Sequence, residues 1–547
     1  MKIKKSIFSD VGIDSIGFCA PRHYVNLEEL ARERKIDFLK FKKGLVLREM
    51  RIPEVDEDML SIGLKAGYHA LMRGDINPKD IDALFVGTET ITYAVKSVSN
   101  IFAEWLGISV NSLTQDIYNA CAAGTLAVLN ALALIEKGTI NKALVIIADI
   151  SSYSLGSPGE PTQGSGAVAL VLSKNPRIAS FNNEFGKISG NINDFFRPAN
   201  EENAQVFGHF SIDSYTNFQL KAYDDLINKI GDFIADSYVF HAPYAKLPLR
   251  CMGNIIEKRW LNNIRKMQEF VMHSNKTKVI NNIDPYILNN IDLIRENFHL
   301  KLSERGVSAD NLQKLKNLED NFKKLILPQL KIPIYFGNMY AASVWAQVIY
   351  ILENFAHENY TIYFGSYGSG ATCISGLLKV NNQFKEIVRM HPNINDTINN
   401  KTLMSVKDYS SIKNHCITPT ILIGQIKEHD KNDNRGFHYY FCDKGCVISN
   451  REGLKYCPKG HSGYHSKFFP LHGVLTSKPK SLDLKDLSYL NDNHVRISPK
   501  AKKGDILEFE IRRVNIENFE VCEAQGLIDW VPSYVPVSDN FKFYPTK

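Results

Sequence analysis

The sequence has few of the features that mark secreted, membrane-spanning or nucleic-acid-binding proteins. Its 547 residues contain only nine cysteines, an odd number scattered along the chain, which favours a reducing cytoplasm over a disulfide framework. The start, MKIKKSIFSDVG, lacks the apolar core and the small-residue cleavage site of a signal peptide. The longest nearly apolar run, Cys121–Ile135, is shorter than the ~18 residues of a membrane span. We therefore expect a cytoplasmic protein without a membrane segment.

The excess of positive over negative charge is also small. The net charge is +6, and no basic stripe with interleaved aromatic residues is present, which argues against nucleic-acid binding. The chain is too long for one hydrophobic core, since a single core stops growing near ~250–300 residues. We expect two or three packed units.

The first 175 residues alternate between strand-like and helix-like segments. The apolar runs 81–87, 143–149 and 166–172 resemble buried strands, whereas 97–106 and 121–137 resemble helices, the second ending at Gly138. Alternation of this kind predicts an α/β fold with a mixed or parallel sheet.

A second α/β half follows over residues 176–395, with a Lys- and Asn-rich helical insertion at 251–324. From 405 to 547 the segments are short, strand-like and broken by Gly, Pro and Asn, which predicts an all-β module of the size of an OB-like barrel. We place the linker between the two near 393–408.

Three side chains are candidates for acid–base and nucleophilic chemistry. Cys121, in NACAAGTLAV, precedes a helix whose dipole is expected to lower the pKa of the thiol. Glu89 follows a predicted strand at its carboxyl end and is a candidate general base, and His241, in FHAPYAKL, ends another strand. Each has a structural alternative: a buried cysteine, a solvated glutamate or a structural histidine.

These motifs, in this order and with these separations, resemble those of the 3-hydroxy-3-methylglutaryl-CoA synthase family. The matching segments are VGTET, NAC-x-x-GT-x-AV, PTQGSGAVAL, FHAPYAKL, GNMY and YGSG, spread over residues 5–385. The resemblance implies the thiolase fold, with two similar halves in five αβαβα layers, a homodimer, and coenzyme A thioesters as substrates without a required cofactor.

The resemblance also implies roles for individual residues. Cys121 matches the acyl-accepting nucleophile, Glu89 the general acid/base, and His241 the histidine that binds the acetoacetyl substrate. The positions expected to contact substrate are Asn338, Tyr340, Tyr153, Asp149, Thr162, Ser369 and, for coenzyme A, Lys246. The expected reaction joins acetyl-CoA to acetoacetyl-CoA through acetyl-Cys121.

Two departures from the family pattern leave the acceptor open. Ala122-Ala123-Gly124 stands where eukaryotic members have Tyr-Gly-Gly, and Ala199 follows Arg197-Pro198 where the family often has Asp. One alternative is a condensing enzyme of polyketide or specialised metabolism that uses another β-ketoacyl or carrier-protein-bound acceptor. Another is a non-catalytic scaffold that binds acyl-CoA. A thiolase or an acyl carrier protein is a candidate partner.

The C-terminal module resembles the OB-fold proteins that accompany archaeal and some bacterial thiolase-superfamily enzymes, often with a small zinc ribbon. Within 440–465, Cys442, Cys446, Cys457 and His461 form two pairs of plausible zinc ligands. Each pair has three intervening residues where two are usual, so the alternative is a degenerate ribbon without metal.

Overall fold

The computed structural model describes residues 7–53, 57–93, 95–198, 204–255, 258, 284–287 and 325–415, and seven strands between 436 and 526. The predicted insertion 251–324 lies mostly outside the described residues. The described part before 416 forms a mixed α/β body, as the alternating pattern predicts.

Fifteen strands belong to this body. They are β1 (Phe8–Cys19), β2 (His23–Asn26), β3 (Glu49–Arg51), β4 (Ala83–Gly87), β5 (Leu113–Ile117), β6 (Lys142–Ile150), β7 (Ser165–Lys174), β8 (Ala179–Asn182), β9 (Gly186–Ser189), β10 (Phe195–Phe196), β11 (Gln205–Val206), β12 (Ser237–Phe240), β13 (Thr361–Gly368), β14 (Thr372–Val380) and β15 (Thr402–Leu403).

Twelve helices accompany them within the described residues. They are α1 (Leu27–Glu33), α2 (Leu39–Gly44), α3 (Met59–Arg73), α4 (Ser99–Leu106), α5 (Ala123–Lys137), α6 (Gly208–Ile230), α7 (Lys246–Ile255), α8 (Lys331–Phe336), α9 (Ala342–Asn354), α10 (Phe384–Val388), α11 (Ile394–Asn399) and α12 (Val406–His415).

One ten-stranded sheet runs through both halves of the body, in the order β12-β13-β14-β8-β1-β7-β6-β4-β5, with β9 paired to β14. The halves join where β1 pairs with β7 on one side and with β8 on the other. Strands β4, β5 and β6 are parallel, and so are β12 and β13. Because parallel neighbours end at one edge, the loops after β4 and β6 meet there.

The central strands are buried on both faces. Along β6, Val145 and Ile147 face one core with α5 and α9, whereas Leu144 and Ile146 face another core with α3 and α4. Helix α9 contacts β6 and β7 as well as β12 and β13, so it lies between the two halves. Helix α6 packs on the second half, against β9, β13 and β14.

Helix α5 carries the predicted nucleophile at its start and ends as predicted, at Gly138, which adopts a left-handed conformation with φ +77°. The segment Ala120–Lys137 has the length and apolar composition of a membrane span, and 56% of it is buried inside the body. A core helix passes the same test, and here one face of α5 packs against β4 and β6.

The predicted linker near 393–408 has regular structure. Helix α11 and strand β15 lie there, β15 pairs with β2, and α12 packs its buried Tyr409 against Leu30 and Met50. The α/β body therefore extends to residue 415. The boundary predicted between the halves at 175/176 falls in the turn between β7 and β8.

Seven further strands are described beyond the body: β16 (Gly436–Phe441), β17 (Val447–Ser449), β18 (His465–Pro470), β19 (Gly473–Val474), β20 (Ile506–Leu507), β21 (Phe509–Asn515) and β22 (Glu520–Gly526). They form antiparallel pairs β16 with β17 and β18, β19 with β20, and β21 with β22.

Candidate active site

Cys121 lies in a tight turn that leads into α5. The preceding residue, Ala120, has φ +44°, a conformation that residues with a side chain rarely adopt, and Ala122 caps the helix. The end of β13 passes directly over this turn: a Cβ added to Gly368 would lie 2.6 Å from both Ala122 N and Asn119 O. Glycine at 368 thus allows the two halves of the body to meet at the nucleophile.

The thiol of Cys121 donates a hydrogen bond to Glu89, with 3.0 Å between Sγ and Oε2. Glu89 follows β4, and Cys121 precedes the helix that packs on β4, so the sheet brings together two residues that are 32 positions apart. The predicted nucleophile and the predicted base are therefore in contact.

The pKa values of Cys121 and Glu89 are set mainly by burial and by neighbouring carboxylates. Burial, the charge of Glu89 and the further anions Asp149 and Asp194 raise the pKa of the Cys121 thiol well above its ordinary value. The predicted lowering by the helix dipole was wrong, because desolvation and neighbouring carboxylates outweigh a partial charge. Burial, followed by the charge of Asp149, raises the pKa of Glu89 to about 8. The site thus holds a neutral thiol beside a carboxyl group that titrates near neutral pH.

Asp149, at the end of β6, orders the loop that carries Glu89. Its Oδ1 accepts hydrogen bonds from Glu89 N at 2.9 Å, Thr90 N at 3.0 Å, Thr90 Oγ1 at 2.8 Å and Thr88 Oγ1 at 2.7 Å. Its Oδ2 accepts from Ala341 N at 2.9 Å. Burial raises the pKa of Asp149 to about 6, so it is ionised at neutral pH. The side chain is fully buried behind Glu89. Asp149 does not line the cavity, in contrast to the substrate contact that the resemblance implies.

Three aromatic rings surround Cys121. Tyr153 and Tyr340 share a buried cluster with it, and Phe195 packs edge-on against both tyrosines at centroid distances of 6.4 and 6.1 Å. Tyr340 has φ +43°, so its backbone is held in a strained turn beside the nucleophile. Rings held this way give a small, apolar pocket around the thiol.

A cavity of about 390 Å³ opens beside this pair. Its size is within the range of small-molecule sites. Most of its wall comes from the loops after β4, β5 and β6, the segment 192–197 and the turn 369–370. The lining residues are Glu89, Thr90, Ile91, Tyr118, Asn119, Ala120, Ile150, Ser152, Ile192, Asn193, Phe195, Phe196, Arg197, Ala204, Tyr340, Ser369 and Gly370.

Asp194 is a site residue that sequence reasoning missed. It is fully buried, and Oδ2 accepts hydrogen bonds from the Tyr367 hydroxyl at 2.7 Å and from Ser369 Oγ at 3.2 Å. Its Oδ1 faces Gly370 N at 3.3 Å. One carboxylate therefore fixes the glycine-rich turn that lines the cavity. Its position in NDFFRP, next to aromatic residues, offered little to find it by.

His241 lies directly after β12, and its backbone N–H donates to Gly365 O of β13 at 2.8 Å. The backbone carbonyl of His241 accepts a short hydrogen bond from the Tyr215 hydroxyl. Its Nδ1 is buried without a hydrogen-bond partner, and burial lowers the pKa of the imidazole to about 3. The ring therefore stays neutral at physiological pH. His241 is not among the residues that line the cavity.

The remaining predicted binding residues lie behind or away from the cavity wall. Asn338 Oδ1 accepts from Tyr340 N at 3.0 Å, and Asn338 N donates to Thr162 O at 3.0 Å. The Asn338 side chain and the Thr162 backbone thus support the turn of Tyr340, the Thr162 hydroxyl donates to Gly159 O at 2.8 Å, and neither residue lines the cavity. Lys246 begins α7, where its Nζ donates to Lys43 O at the surface.

The four predicted zinc ligands, Cys442, Cys446, Cys457 and His461, lie outside the described residues. Within the part of the chain that the structure describes, no group of three or more His, Cys, Asp or Glu side chains is arranged to hold a metal ion.

A buried cysteine that donates to a glutamate, under an aromatic pocket on a mixed α/β fold, points to a class of protein: enzymes that use a thiol as a covalent nucleophile. Family models narrow this class. The model "Hydroxymethylglutaryl-coenzyme A synthase N terminal" matches residues 7–176, and the corresponding C-terminal model matches 186–420. The chain belongs to the hydroxymethylglutaryl-CoA synthase family, and it is an acyl-CoA condensing acyltransferase.

A sequence relative belongs to the same family, and solved structures share the fold. The hydroxymethylglutaryl-CoA synthase of Methanocaldococcus jannaschii is 33% identical over 244 residues, 44% of this chain and 70% of that protein. The structure of MvaS in complex with 3-hydroxy-3-methylglutaryl coenzyme A aligns with a TM-score of 0.62 at 21% identity, over 84% of this chain and 99% of the other. The HMG synthase of the curacin pathway, in complex with acetyl donor-ACP, aligns with a TM-score of 0.59 at 21% identity, over 73% and 87%.

Proposed function

We propose that the protein condenses acetyl-CoA with acetoacetyl-CoA to 3-hydroxy-3-methylglutaryl-CoA through acetyl-Cys121. The observation that carries this proposal is the 3.0 Å hydrogen bond from the Cys121 thiol to Glu89, under the aromatic pocket of Tyr153, Tyr340 and Phe195. A nucleophile, its proton acceptor and a pocket for a small acyl group are what the first half-reaction requires.

In the first half-reaction the sulfur of Cys121 attacks the carbonyl carbon of acetyl-CoA. The thiol proton passes to Glu89 and then to the departing coenzyme A sulfur, which leaves as the free thiol. Because the pKa of the Cys121 thiol is raised by burial and by Glu89, the thiolate is scarce in the resting enzyme. Proton transfer during attack, and not a preformed thiolate, therefore drives acylation.

In the second half-reaction Glu89 removes a proton from the methyl group of acetyl-Cys121. The enolate adds to the ketone carbon of acetoacetyl-CoA, and the new alkoxide takes up the proton from Glu89. A carboxyl group with a pKa of about 8 suits both tasks, because it changes protonation near neutral pH. Water then hydrolyses the thioester, which restores Cys121 and leaves the new carboxylate on the product.

His241 is proposed to hold the acceptor carbonyl, as the family resemblance implies. A buried imidazole that stays neutral is a hydrogen-bond donor without charge, and its unpartnered Nδ1 leaves the ring free of a competing bond at that atom. In this role, His241→Ala should raise KM for acetoacetyl-CoA while Cys121 still accepts acetyl groups. Loss of acetylation in that variant, with unchanged stability, would contradict the role.

Assembly as a homodimer is part of the proposal. Strand β5 ends the described sheet, and apolar side chains beside it are exposed: Leu113 by 47%, Tyr118 by 42% and Val110 by 98%. An apolar sheet edge left open in water favours pairing with a second copy. Sedimentation of the full chain should give twice the monomer mass, and Leu113→Lys should shift it towards monomer. A monomeric wild-type protein would refute this part.

The C-terminal module is proposed to be an OB-like barrel, and the protein to be cytoplasmic. The succession of short segments broken by Gly, Pro and Asn supports the barrel. For a structural zinc ion at Cys442, Cys446, Cys457 and His461, elemental analysis of the purified protein is the test. Zinc in the wild type that disappears in Cys442→Ser supports the site, and metal-free folded protein refutes it.

Incubation with acetyl-CoA and acetoacetyl-CoA tests the reaction. We expect free coenzyme A thiol together with 3-hydroxy-3-methylglutaryl-CoA. A parallel reaction replaces each thioester in turn by its carrier-protein-bound form. Acetylation of Cys121 without product from acetoacetyl-CoA, but with product from a carrier-bound acceptor, would replace the proposed acceptor.

A further inference from the structure

We propose that helix α12 is part of the catalytic apparatus: Tyr409, acting through Gln163, is a positioning residue that holds Tyr153 in the acyl pocket. This inference rests on the proposed function, because it assigns a role in loading the acyl group onto Cys121. It concerns the last helix of the α/β body, from which the chain continues into the C-terminal segment.

Two hydrogen bonds link Tyr409 to Tyr153. Gln163 Nε2 donates to the Tyr409 hydroxyl at 2.5 Å, and Gln163 Oε1 accepts from Tyr153 N at 2.9 Å. Gln163 and Tyr409 are both buried, with 1% and 0% of their surfaces exposed. Because the two bonds use opposite ends of one side-chain amide, loss of the bond to Tyr409 loosens the whole amide group and with it the bond that holds the backbone of Tyr153.

A second contact of α12 holds the same loop further along. Arg34 donates to Ser410 Oγ at 2.9 Å and forms a bidentate pair with Glu160, with bonds of 3.0 and 2.7 Å. Glu160 also accepts from Gly156 N at 2.7 Å and from the Tyr409 hydroxyl. Charge-assisted, two-pronged pairs of this kind fix geometry as well as add energy.

A third contact reaches the cavity wall itself. Lys413 Nζ donates to Ser152 Oγ, and Ser152 lines the cavity beside Glu89. Helix α12 therefore contacts the loop 151–163 near its beginning at Ser152 and at its end at Gln163, and it is linked to Glu160 through Arg34. This loop has little regular structure of its own apart from a single 3₁₀ turn, Glu160–Thr162. Its conformation depends on what it is bound to.

The consequence for the pocket follows from the position of Tyr153. Its ring packs on Tyr340 at a centroid distance of 6.4 Å, and both rings contact Cys121. A shift of this loop by a fraction of an ångström changes the space for the acyl group, and catalytic geometry is sensitive to such shifts.

The test is Tyr409→Phe in the full-length protein, with the rate at which acetyl-CoA acetylates Cys121 followed by mass spectrometry. We expect a loss of about tenfold, the factor that ~1.4 kcal/mol of misplaced geometry produces. The substitution is repeated in a Tyr153→Ala background. If Tyr409 acts through Tyr153, the second loss there is less than about twofold, because the ring that it positions is gone.

The matched control is Tyr360→Phe, which also removes a buried hydroxyl that bonds another side chain, Ser237 Oγ at 2.6 Å. Tyr360 precedes β13, at the opposite end of that strand from Gly368. We expect a lower melting temperature and an unchanged acetylation rate in this control.

Two results would overturn the inference: an unchanged acetylation rate in Tyr409→Phe, or an equal loss with and without the Tyr153 ring. Either would leave α12 with a structural role alone. A wrong assignment of acetoacetyl-CoA as the acceptor gives a different result: the wild type would then load acetyl groups but release no 3-hydroxy-3-methylglutaryl-CoA. The acetylation arm still decides the role of Tyr409 in that case. A wild type that loads no acetyl group contradicts both.

Discussion

In the proposed mechanism, Glu89 sets the pH dependence of condensation and the charge of Asp149 adjusts it. Burial and then the charge of Asp149 raise the pKa of Glu89 to about 8, so only about a tenth of the enzyme holds an ionised base at pH 7. Condensation by preformed acetyl-Cys121 should therefore be roughly ten times slower at pH 7 than on its plateau above pH 9.

Asp149→Asn is the perturbation that tests this origin. The asparagine keeps an oxygen for the hydrogen bonds at Oδ1 but removes the charge that opposes ionisation of Glu89, so the pKa of Glu89 falls. A fall of about one unit, or ~1.36 kcal/mol, would leave half of the base ionised at pH 7. The ratio of the rate at pH 7 to that at pH 9 would then rise about fivefold, whatever the variant loses in absolute rate.

The assay mixes acetylated enzyme with acetoacetyl-CoA between pH 6 and pH 9 and quenches within a single turnover. Ionisation of the acceptor is the same for both proteins, so only the difference between their profiles reports on Glu89. Identical profiles for wild type and Asp149→Asn would refute the assignment of the titrating group, as would a wild-type profile that is flat from pH 6 to pH 9.

Three further substitutions test other parts of the site. Glu89→Gln should slow acetylation and reduce condensation by about a hundredfold or more. Because the raised pKa of the wild-type carboxyl makes the stability of the wild type fall as pH rises from 4.5 to about 8, the variant should be increasingly more stable than the wild type over that range in thermal melts. Equal stabilisation at pH 5 and pH 8 would contradict the raised pKa. Gly368→Ala should cost ~1–3 kcal/mol in denaturant unfolding and most of the activity, since the new methyl group meets the backbone at Ala122, whereas Gly208→Ala, with no atom within 4 Å, should cost neither. Asp194→Asn should lower kcat severalfold and the melting temperature slightly, because it weakens the bonds that hold the glycine-rich turn; an unchanged kcat would show that this turn needs no anion.

Local patterns predicted the parts of the fold that depend on nearby residues. The apolar runs at 83–87, 142–150 and 165–174 are strands, and α5 ends at Gly138 as predicted. Contact between Cys121 and Glu89 was also foreseeable, because a residue after a parallel strand and one before the helix packed on it lie at the same edge of the sheet.

Polar contacts between distant segments were not predictable in this way. Glu160 meets Arg34, which is 126 positions away, and Gln163 meets Tyr409 across 246 positions. No local periodicity encodes such pairs. The predicted lowering of the Cys121 pKa was wrong for a related reason. The helix start is visible in the sequence, whereas the burial and the carboxylates that oppose the effect of the helix dipole are properties of the assembled fold.

The central claim is that Cys121 carries the acetyl group that becomes part of the product. Isotope-labelled acetyl-CoA, followed by digestion and mass spectrometry, should place the label on the peptide that contains Cys121. Addition of unlabelled acetoacetyl-CoA should then move the label into 3-hydroxy-3-methylglutaryl-CoA and leave the peptide free, with no labelling at all in Cys121→Ala. Labelled product from Cys121→Ala, or label that stays on Cys121 when the acceptor is added, would contradict the account.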